Sequence, residues 1–161
     1  MKRFIWIVLS ILFLSASGAV CNEQKITIGA VEEVTLLPWG VRLPARIDTG
    51  APTSSLDARD LKIEDDIVEF KLPKKYSNLQ LRLPVVMWHE VRGAEFKGRR
   101  PAIEITLCIA SKVLRVHVTL NDRSMVEYPL IIGRNVLGGN FVVDVEQSKT
   151  TPPSCSEIQG R

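Results

Sequence analysis

The stretch "ARIDTGAPTSS", residues 45–55, places an aspartate directly after a strand-like run and before a Thr-Gly step. Asp48 has the phase opposite to the apolar side chains of that run, and Gly50 allows the backbone to turn tightly behind it. Two carboxylates held close together cannot both ionise easily, so one can serve as an acid while the other activates water. The same tripeptide is also typical of an ordinary turn at a strand end, so alone it does not decide between these interpretations.

The sequence on either side of this stretch alternates with the period of a β-strand. Apolar side chains share one face in three segments, at Val41, Leu43, Ala45 and Ile47, at Ile103, Ile105, Leu107 and Ile109, and at Leu114, Val116, Val118 and Leu120. No long window has a period of 3.6 residues, and "GRNVLGG", residues 133–139, is the one segment in which we expect a short helix. The pattern predicts an all-β fold of about six to eight strands with one short C-terminal helix.

The first residues have the order of a secretory signal peptide. "MKRFIWIVLSILFLSASGAVC" has two basic residues, an apolar run and then small residues, and the run is shorter than the roughly 20 apolar residues of a membrane span. We therefore expect a cleaved signal peptide over residues 1–20 and a periplasmic or secreted protein. Lipidation at Cys21 and a retained anchor remain alternatives.

The remaining chain is expected to form one domain over residues 24–148, followed by a polar tail over residues 149–161. An exported protein meets an oxidising compartment, so Cys108 and Cys155 could form a disulfide that ties the tail down. The sequence leaves this pairing open. Without Lys2 and Arg3 there are 19 basic residues (21 − 2) against 18 acidic ones, and no basic tract indicates nucleic-acid binding.

Two separated motifs, "IDTGA" at residues 47–51 and "LIIGRNVL" at residues 130–137, resemble those of the retroviral-type aspartic proteases, the retropepsins. The sequence is more similar to a bacterial retropepsin-like family whose members carry the name ATP-dependent zinc protease. Some members accompany an enzyme that adds glutamates to a ribosomal protein. The matching pieces cover about residues 26–148 in the family's order and are "IGAVEEVTLL", "ARIDTGAPTSSLDA", "RRPAIEITL" and "VHVTLNDRSMVEYPLIIGRNVLGGNFVVD". The resemblance implies a single-lobe barrel and an aspartic endopeptidase without a cofactor.

The resemblance also implies roles for individual residues. Asp48, with Thr49 and Gly50, matches the catalytic loop. The residues implied to contact substrate are Ala51, Ile131 and Ile132, and those implied to support the loop are Gly133 and Arg134. In the retroviral enzymes this arginine pairs with an acidic residue just after the loop, where this sequence has Pro52 and Thr53. Arg134 therefore needs a different partner, and the candidates in the sequence are Asp57, Asp60 and Asp144.

The sequence contains a single Asp-Thr-Gly, and one lobe supplies one carboxylate. A two-carboxylate mechanism therefore requires a homodimer with Asp48 near the two-fold axis. A flap that excludes water from the groove is also expected. The polar segment from Leu83 to Lys97, with Gly93 as its hinge, is the candidate.

Other chemistries have less support in the sequence. The His-Glu-x-x-His zinc motif and the phosphate-binding P-loop are absent, and a zinc site would have to combine His117 and Cys108 with acidic residues. Ser54 and Ser55 follow the loop without the pattern of a catalytic triad. The main alternative is a non-catalytic periplasmic module that binds an extended peptide or protein on the same fold. A membrane is expected as a partner only if Cys21 is lipidated.

Overall fold

The structure is a computed structural model that describes residues 24–92 and 97–155, with the side chains of residues 91, 92 and 97 left out. The described residues form β1 (Ile26–Gly29), β2 (Val31–Leu37), β3 (Val41–Ile47), β4 (Ser54–Asp57), β5 (Arg59–Glu64), β6 (Ile67–Lys71), a short 3-10 helix (Lys74–Tyr76), β7 (Gln80–Pro84), β8 (Met87–Arg92), β9 (Lys97–Ile109), β10 (Lys112–Asn121), β11 (Leu130–Ile132), α1 (Arg134–Leu137) and β12 (Phe141–Asp144). The signal peptide predicted over residues 1–20 lies outside this part of the chain.

Six strands close into a barrel. Their order is β10-β4-β11-β3-β2-β9, and the antiparallel pairing of β9 with β10 joins the two ends of the sheet. Strands account for 57% of the structure and helix for 6%, which confirms the predicted all-β, retropepsin-like barrel with one short helix. β8 is not one of the six barrel strands and pairs with β9 in antiparallel orientation.

The apolar positions of the alternating sequence pattern face the interior of the barrel. Along β3, Leu43, Ala45 and Ile47 are buried. Arg42 and Arg46, which have the opposite phase, are exposed. A residue period of two places alternate side chains on opposite faces of a strand, so one face of β3 joins the core and the other faces outward. Asp48 follows directly at the end of this strand.

The predicted number of strands was too low, because two smaller sheets lie outside the barrel. A three-stranded sheet has the order β5-β6-β7, and β1 pairs in parallel with β12. The strands β5 and β7 have few buried residues, so their sequences lack the clean apolar alternation by which the barrel strands were recognised.

The segment after β12 is fixed onto the barrel as far as Cys155. Cys108 on β9 forms a disulfide with Cys155, and both cysteines are buried with Leu37. This answers the pairing question that the sequence left open. The polar tail predicted from residue 149 onward is therefore tied down over its described part.

A buried carboxylate holds the same C-terminal segment from the other side. Glu32 is fully buried and accepts hydrogen bonds from the backbone N–H of Gly29 at 2.6 Å and of Thr151 at 3.1 Å. The hydroxyl of Thr150 donates to the same carboxylate at 3.1 Å. A buried charge needs such donors, so Glu32 couples the start of the domain to its end.

Within the described residues, no helix is long and apolar enough to cross a membrane.

Candidate active site

Asp48 is held at the end of β3 by both its backbone and its side chain. Its N–H donates to the carbonyl oxygen of Ile132 on β11 at 2.9 Å. Its Oδ1 atom accepts hydrogen bonds from the N–H groups of Gly50 at 3.0 Å and Ala51 at 3.1 Å. The carboxylate is partly buried, whereas Thr49 and Gly50 are exposed. The loop therefore presents an oriented carboxylate at the surface of the barrel.

Backbone contacts from the start of α1 brace this loop. The N–H of Arg134 donates to the carbonyl of Ala51 at 2.9 Å, and the N–H of Asn135 donates to that of Pro52 at 3.2 Å. Gly133 approaches so closely that an added Cβ would lie 2.8 Å from the carbonyl carbon of Thr53 and 2.9 Å from the Ala51 oxygen. The segment "GRN" thus packs directly against the residues that follow Asp48.

Arg134 binds the loop through carbonyl oxygens and not through an acidic side chain. Its Nη1 atom donates to the carbonyls of Thr49 at 2.9 Å and Gly50 at 2.7 Å. The guanidinium of Arg134 therefore helps to fix the backbone of the loop.

The three acidic residues proposed as partners of Arg134 have other partners, so that prediction was wrong. Asp57 binds Arg59 and Asp60 binds Lys71, each at less than 3 Å. Asp144 accepts a hydrogen bond from Gln147 at 2.7 Å. The planar guanidinium matches the two adjacent carbonyls of the loop, so an acidic partner is not required.

Asn135 is a site residue that the sequence reasoning did not single out. Its Oδ1 atom accepts hydrogen bonds from the N–H and the hydroxyl of Ser54, both at 2.9 Å. Its Nδ2 atom donates to the carbonyl of His117 on β10 at 2.8 Å. The available signal was its place beside Arg134 in "GRN". Asn135 links the catalytic loop, α1 and β10.

The Ser54 hydroxyl also accepts a hydrogen bond from the N–H of Gly133 at 3.0 Å. Since Ser54 is fully buried and its hydroxyl is engaged on both sides, its role is structural and it does not act as a nucleophile.

The residues expected to contact substrate do not all reach the surface. Ala51 and Ile131 are partly exposed. Ile132 is fully buried and packs in the hydrophobic core. The side chain of Ile132 faces the core because alternate residues of β11 point inward. It is therefore not placed to contact substrate as expected.

Arg123 lies within electrostatic reach of Asp48 and of three other charged side chains. Burial lowers the pKa of the Arg123 guanidinium, and the charges of Arg100 and Arg46 lower it further, whereas Asp57 and Asp48 raise it. Each of these four charged side chains therefore lies within electrostatic reach of Arg123. Arg46 is exposed two residues before Asp48.

A cavity of about 270 Å³ lies next to the loop that follows Asp48. Thr53, His117 and Asn135 line it, together with Met87 and His89 from β8. The predicted flap segment, from Leu83 to Lys97, contains β8, which pairs with the antiparallel strand β9. The first residues of β8 thus lie near the loop that follows Asp48. The proposed hinge Gly93 lies outside the described residues.

In the part of the chain that the structure describes, no group of three or more His, Cys, Asp or Glu side chains has the arrangement of a metal site. Cys108 is bonded to Cys155 and cannot be the thiolate ligand considered above. His117 lies 3.6 Å from the carboxylate of Glu104, with both side chains partly exposed.

Gly133→Ala is expected to destabilise the protein by about 1–3 kcal/mol, because the new methyl group would meet the backbone of Thr53 and Ala51. Denaturant unfolding would measure the change. Gly138→Ala is the comparison, because a Cβ there would meet only the Arg134 carbonyl oxygen, at 3.1 Å. Equal losses in the two variants would contradict the close packing of Gly133 on the loop.

Comparison with known proteins connects this geometry to a family. Residues 27–154 match the family model described as RimB-like, "Retropepsin-like aspartic endopeptidase RimB". A probable alpha-L-glutamate ligase from Parasynechococcus marenigrum (strain WH8102) is 31% identical over 141 residues, which are 78% of this chain and 29% of that protein. The chain thus spans less than a third of the length of this curated relative.

Among solved structures, a protein of unknown function from Legionella pneumophila subsp. pneumophila str. Philadelphia 1 superimposes with a TM-score of 0.68 at 28% identity. The match covers 80% of this chain and 99% of the Legionella chain.

Proposed function

From the premise that this chain belongs to the RimB-like family of retropepsin-like aspartic endopeptidases, we propose that it hydrolyses peptide bonds with Asp48 as the catalytic residue. The observation that carries the proposal is the oriented carboxylate of Asp48 at the end of β3, held by the N–H groups of Gly50 and Ala51. One carboxylate would accept a proton from water while a second, protonated one donates to the peptide carbonyl.

The second carboxylate comes from a second copy of the chain. The sequence has a single Asp-Thr-Gly, so the pair requires a homodimer with the two Asp48 side chains at the two-fold axis. Thr49 and Gly50 are exposed beside Asp48, which leaves this surface available to the partner. Thr49 and Gly50 would then hold the loop, while Gly133 and Arg134 support it from behind.

The substrate class follows from the charges around the site. Arg123 lies within electrostatic reach of Asp48, and Arg46 is exposed two residues before it, which favours peptides with acidic side chains. The curated relative's name, a probable alpha-L-glutamate ligase, supports a link to glutamate-containing substrates. Ala51 and Ile131 would contribute apolar contacts to the bound peptide.

The proposed place of action is outside the cytoplasm, in the periplasm or the medium. The basic and then apolar order of residues 1–20 supports export by a signal peptide. The Cys108–Cys155 disulfide supports the same location, because such bonds persist in oxidising compartments.

A mixing experiment tests the shared site. Wild-type and Asp48→Asn chains, refolded together in equal amounts with the disulfide intact, should retain about a quarter of the activity of the same total amount of wild type. Only dimers with two wild-type chains would then be active. The substrate would be a diverse peptide library that includes glutamate-rich sequences.

Wild type mixed with Asp60→Asn is the matched control and should keep its activity, because Asp60 forms only a surface ion pair with Lys71. Retention of about half the activity in the Asp48→Asn mixture would mean that each chain cleaves alone. Loss of activity in the presence of a chelator would indicate a metal mechanism. A dimer that binds peptides without cleaving them would favour the non-catalytic module.

A further inference from the structure

The connection between β10 and β11, residues 122–129, crosses the end of β4. This path is dictated by topology, because β4 lies between its parallel neighbour β10 and its antiparallel neighbour β11. Asp57 is the last residue of β4 and is only 2% exposed. A carboxylate so deeply buried is costly unless it is fully engaged by donors.

The donors to Asp57 come from a neighbouring arginine and from the β10–β11 connection itself. Arg59 binds it with two hydrogen bonds, from Nε to Oδ1 and from Nη2 to Oδ2, both at 2.7 Å. The backbone N–H of Arg123 donates to Oδ1 at 2.9 Å. The N–H of Asp57 donates to the carbonyl of Pro129 at 2.7 Å. One residue thus holds the connection near its start and at its end.

Internal hydrogen bonds make the connection a compact loop. Arg123 donates from Nε to the carbonyl of Tyr128 at 3.1 Å, and its own carbonyl accepts the N–H of Val126 at 3.1 Å. The tip nevertheless exposes two apolar side chains, with Met125 93% and Val126 52% accessible. Apolar groups presented to solvent by a firmly held loop mark a surface for contact with another molecule.

The loop leads into β11, and the last residue of β11 contacts Asp48. Ile131, just after the loop, pairs with Arg46, and Ile132 accepts the hydrogen bond from Asp48. Arg46 interacts electrostatically with both Arg123 and Tyr128, and Asp48 interacts electrostatically with Arg123. Whatever peptide reaches Asp48 would therefore lie beside this loop.

We propose that Asp57 is a positioning residue that fixes the β10–β11 connection as one wall of the peptide groove. It acts through the loop and does not touch the reacting atoms, so it should influence peptide binding more than the chemical step. The inference rests on the proposed peptidase function for its groove role, while the anchoring of the loop stands on the contacts of Asp57 alone.

Asp57→Asn tests the proposal with two independent readouts. The amide cannot receive both donors of Arg59 as a carboxylate does, so amide hydrogen exchange over residues 122–129 should become roughly tenfold faster while the rest of the barrel is unchanged. With the library peptide that wild type cleaves best, KM should rise roughly tenfold with kcat within about twofold.

Two further variants control the experiment. Asp60→Asn removes a carboxylate three residues away that pairs with Lys71, and asparagine tolerates its positive φ of 52°, so both readouts should stay at wild-type values. Arg59→Lys keeps the charge but cannot form the two-point contact, and should give a smaller change in the same direction. This variant keeps the test valid if Asp57→Asn fails to fold.

Unchanged exchange over residues 122–129 in folded Asp57→Asn and in Arg59→Lys would overturn the anchoring role. Faster exchange with unchanged KM would overturn the groove role and leave the loop as a structural feature. If wild type cleaves no peptide at all, the peptidase proposal and the groove role fail together, and the exchange result still decides whether Asp57 anchors the loop.

Discussion

Asp48→Asn is expected to abolish peptide cleavage, with kcat reduced by roughly a thousandfold or more, while the fold stays intact. The asparagine amide can still accept the N–H bonds of Gly50 and Ala51 through its oxygen, so the loop geometry should survive. The amide cannot share a proton with the second aspartate or take one from water. The loss should therefore appear in the chemical step and not in the affinity for peptide.

The measurement is cleavage of the peptide library by purified wild type and variant, with thermal unfolding recorded for both. Asp60→Asn, an exposed aspartate in a surface ion pair, should cleave like wild type. Cleavage that survives Asp48→Asn at an undiminished rate would remove Asp48 from the mechanism. A variant whose melting temperature is unchanged and whose peptide affinity is retained is the outcome that fits the proposal.

Removal of the disulfide has the second large expected effect. The bond joins cysteines 47 residues apart, and closing a loop of that length stabilises a protein by about 4 kcal/mol through the restricted unfolded chain. The double variant Cys108→Ala, Cys155→Ala should lose about this much unfolding free energy. Alanine avoids placing a hydroxyl at two buried positions, so the comparison reports mainly the cross-link.

Urea unfolding of the oxidised wild type, the reduced wild type and the double variant would test this. The reduced protein and the variant should unfold at similar urea concentrations, well below the oxidised protein. A loss of less than about 1 kcal/mol in the variant would contradict the expected contribution of the cross-link. A change in the slope of the transition would indicate that the bond also alters the compactness of the unfolded chain.

The parts of the fold that follow from local pattern were predictable from the sequence. The alternation of Leu43, Ala45 and Ile47 places these residues in the core, and the strand ends where the pattern ends, at Asp48. The short helix was expected at "GRNVLGG" and is found at Arg134–Leu137. Local periodicity and turn residues determine these features, so one segment is enough to recognise each of them.

The contacts of the site were less predictable because they join distant segments. Arg134 was expected to bind an acidic residue, and its donors instead reach two loop carbonyls, which no side-chain pattern encodes. The hydrogen bonds between Asn135 and Ser54 join residues 81 apart in sequence, and the bond between Arg123 and Asp57 joins residues 66 apart. Such pairings depend on sheet order, which a single sequence does not reveal.

The buried carboxylate of Glu32 has a consequence for the making of the protein. Its hydroxyl donor Thr150 lies 118 residues further along the chain, so the carboxylate has only its local donor, the N–H of Gly29, until that segment has been made. A contact of such sequence separation forms late in folding. The contacts of Glu32 with this segment can form only after Thr151 has left the ribosome, so the domain completes its packing late.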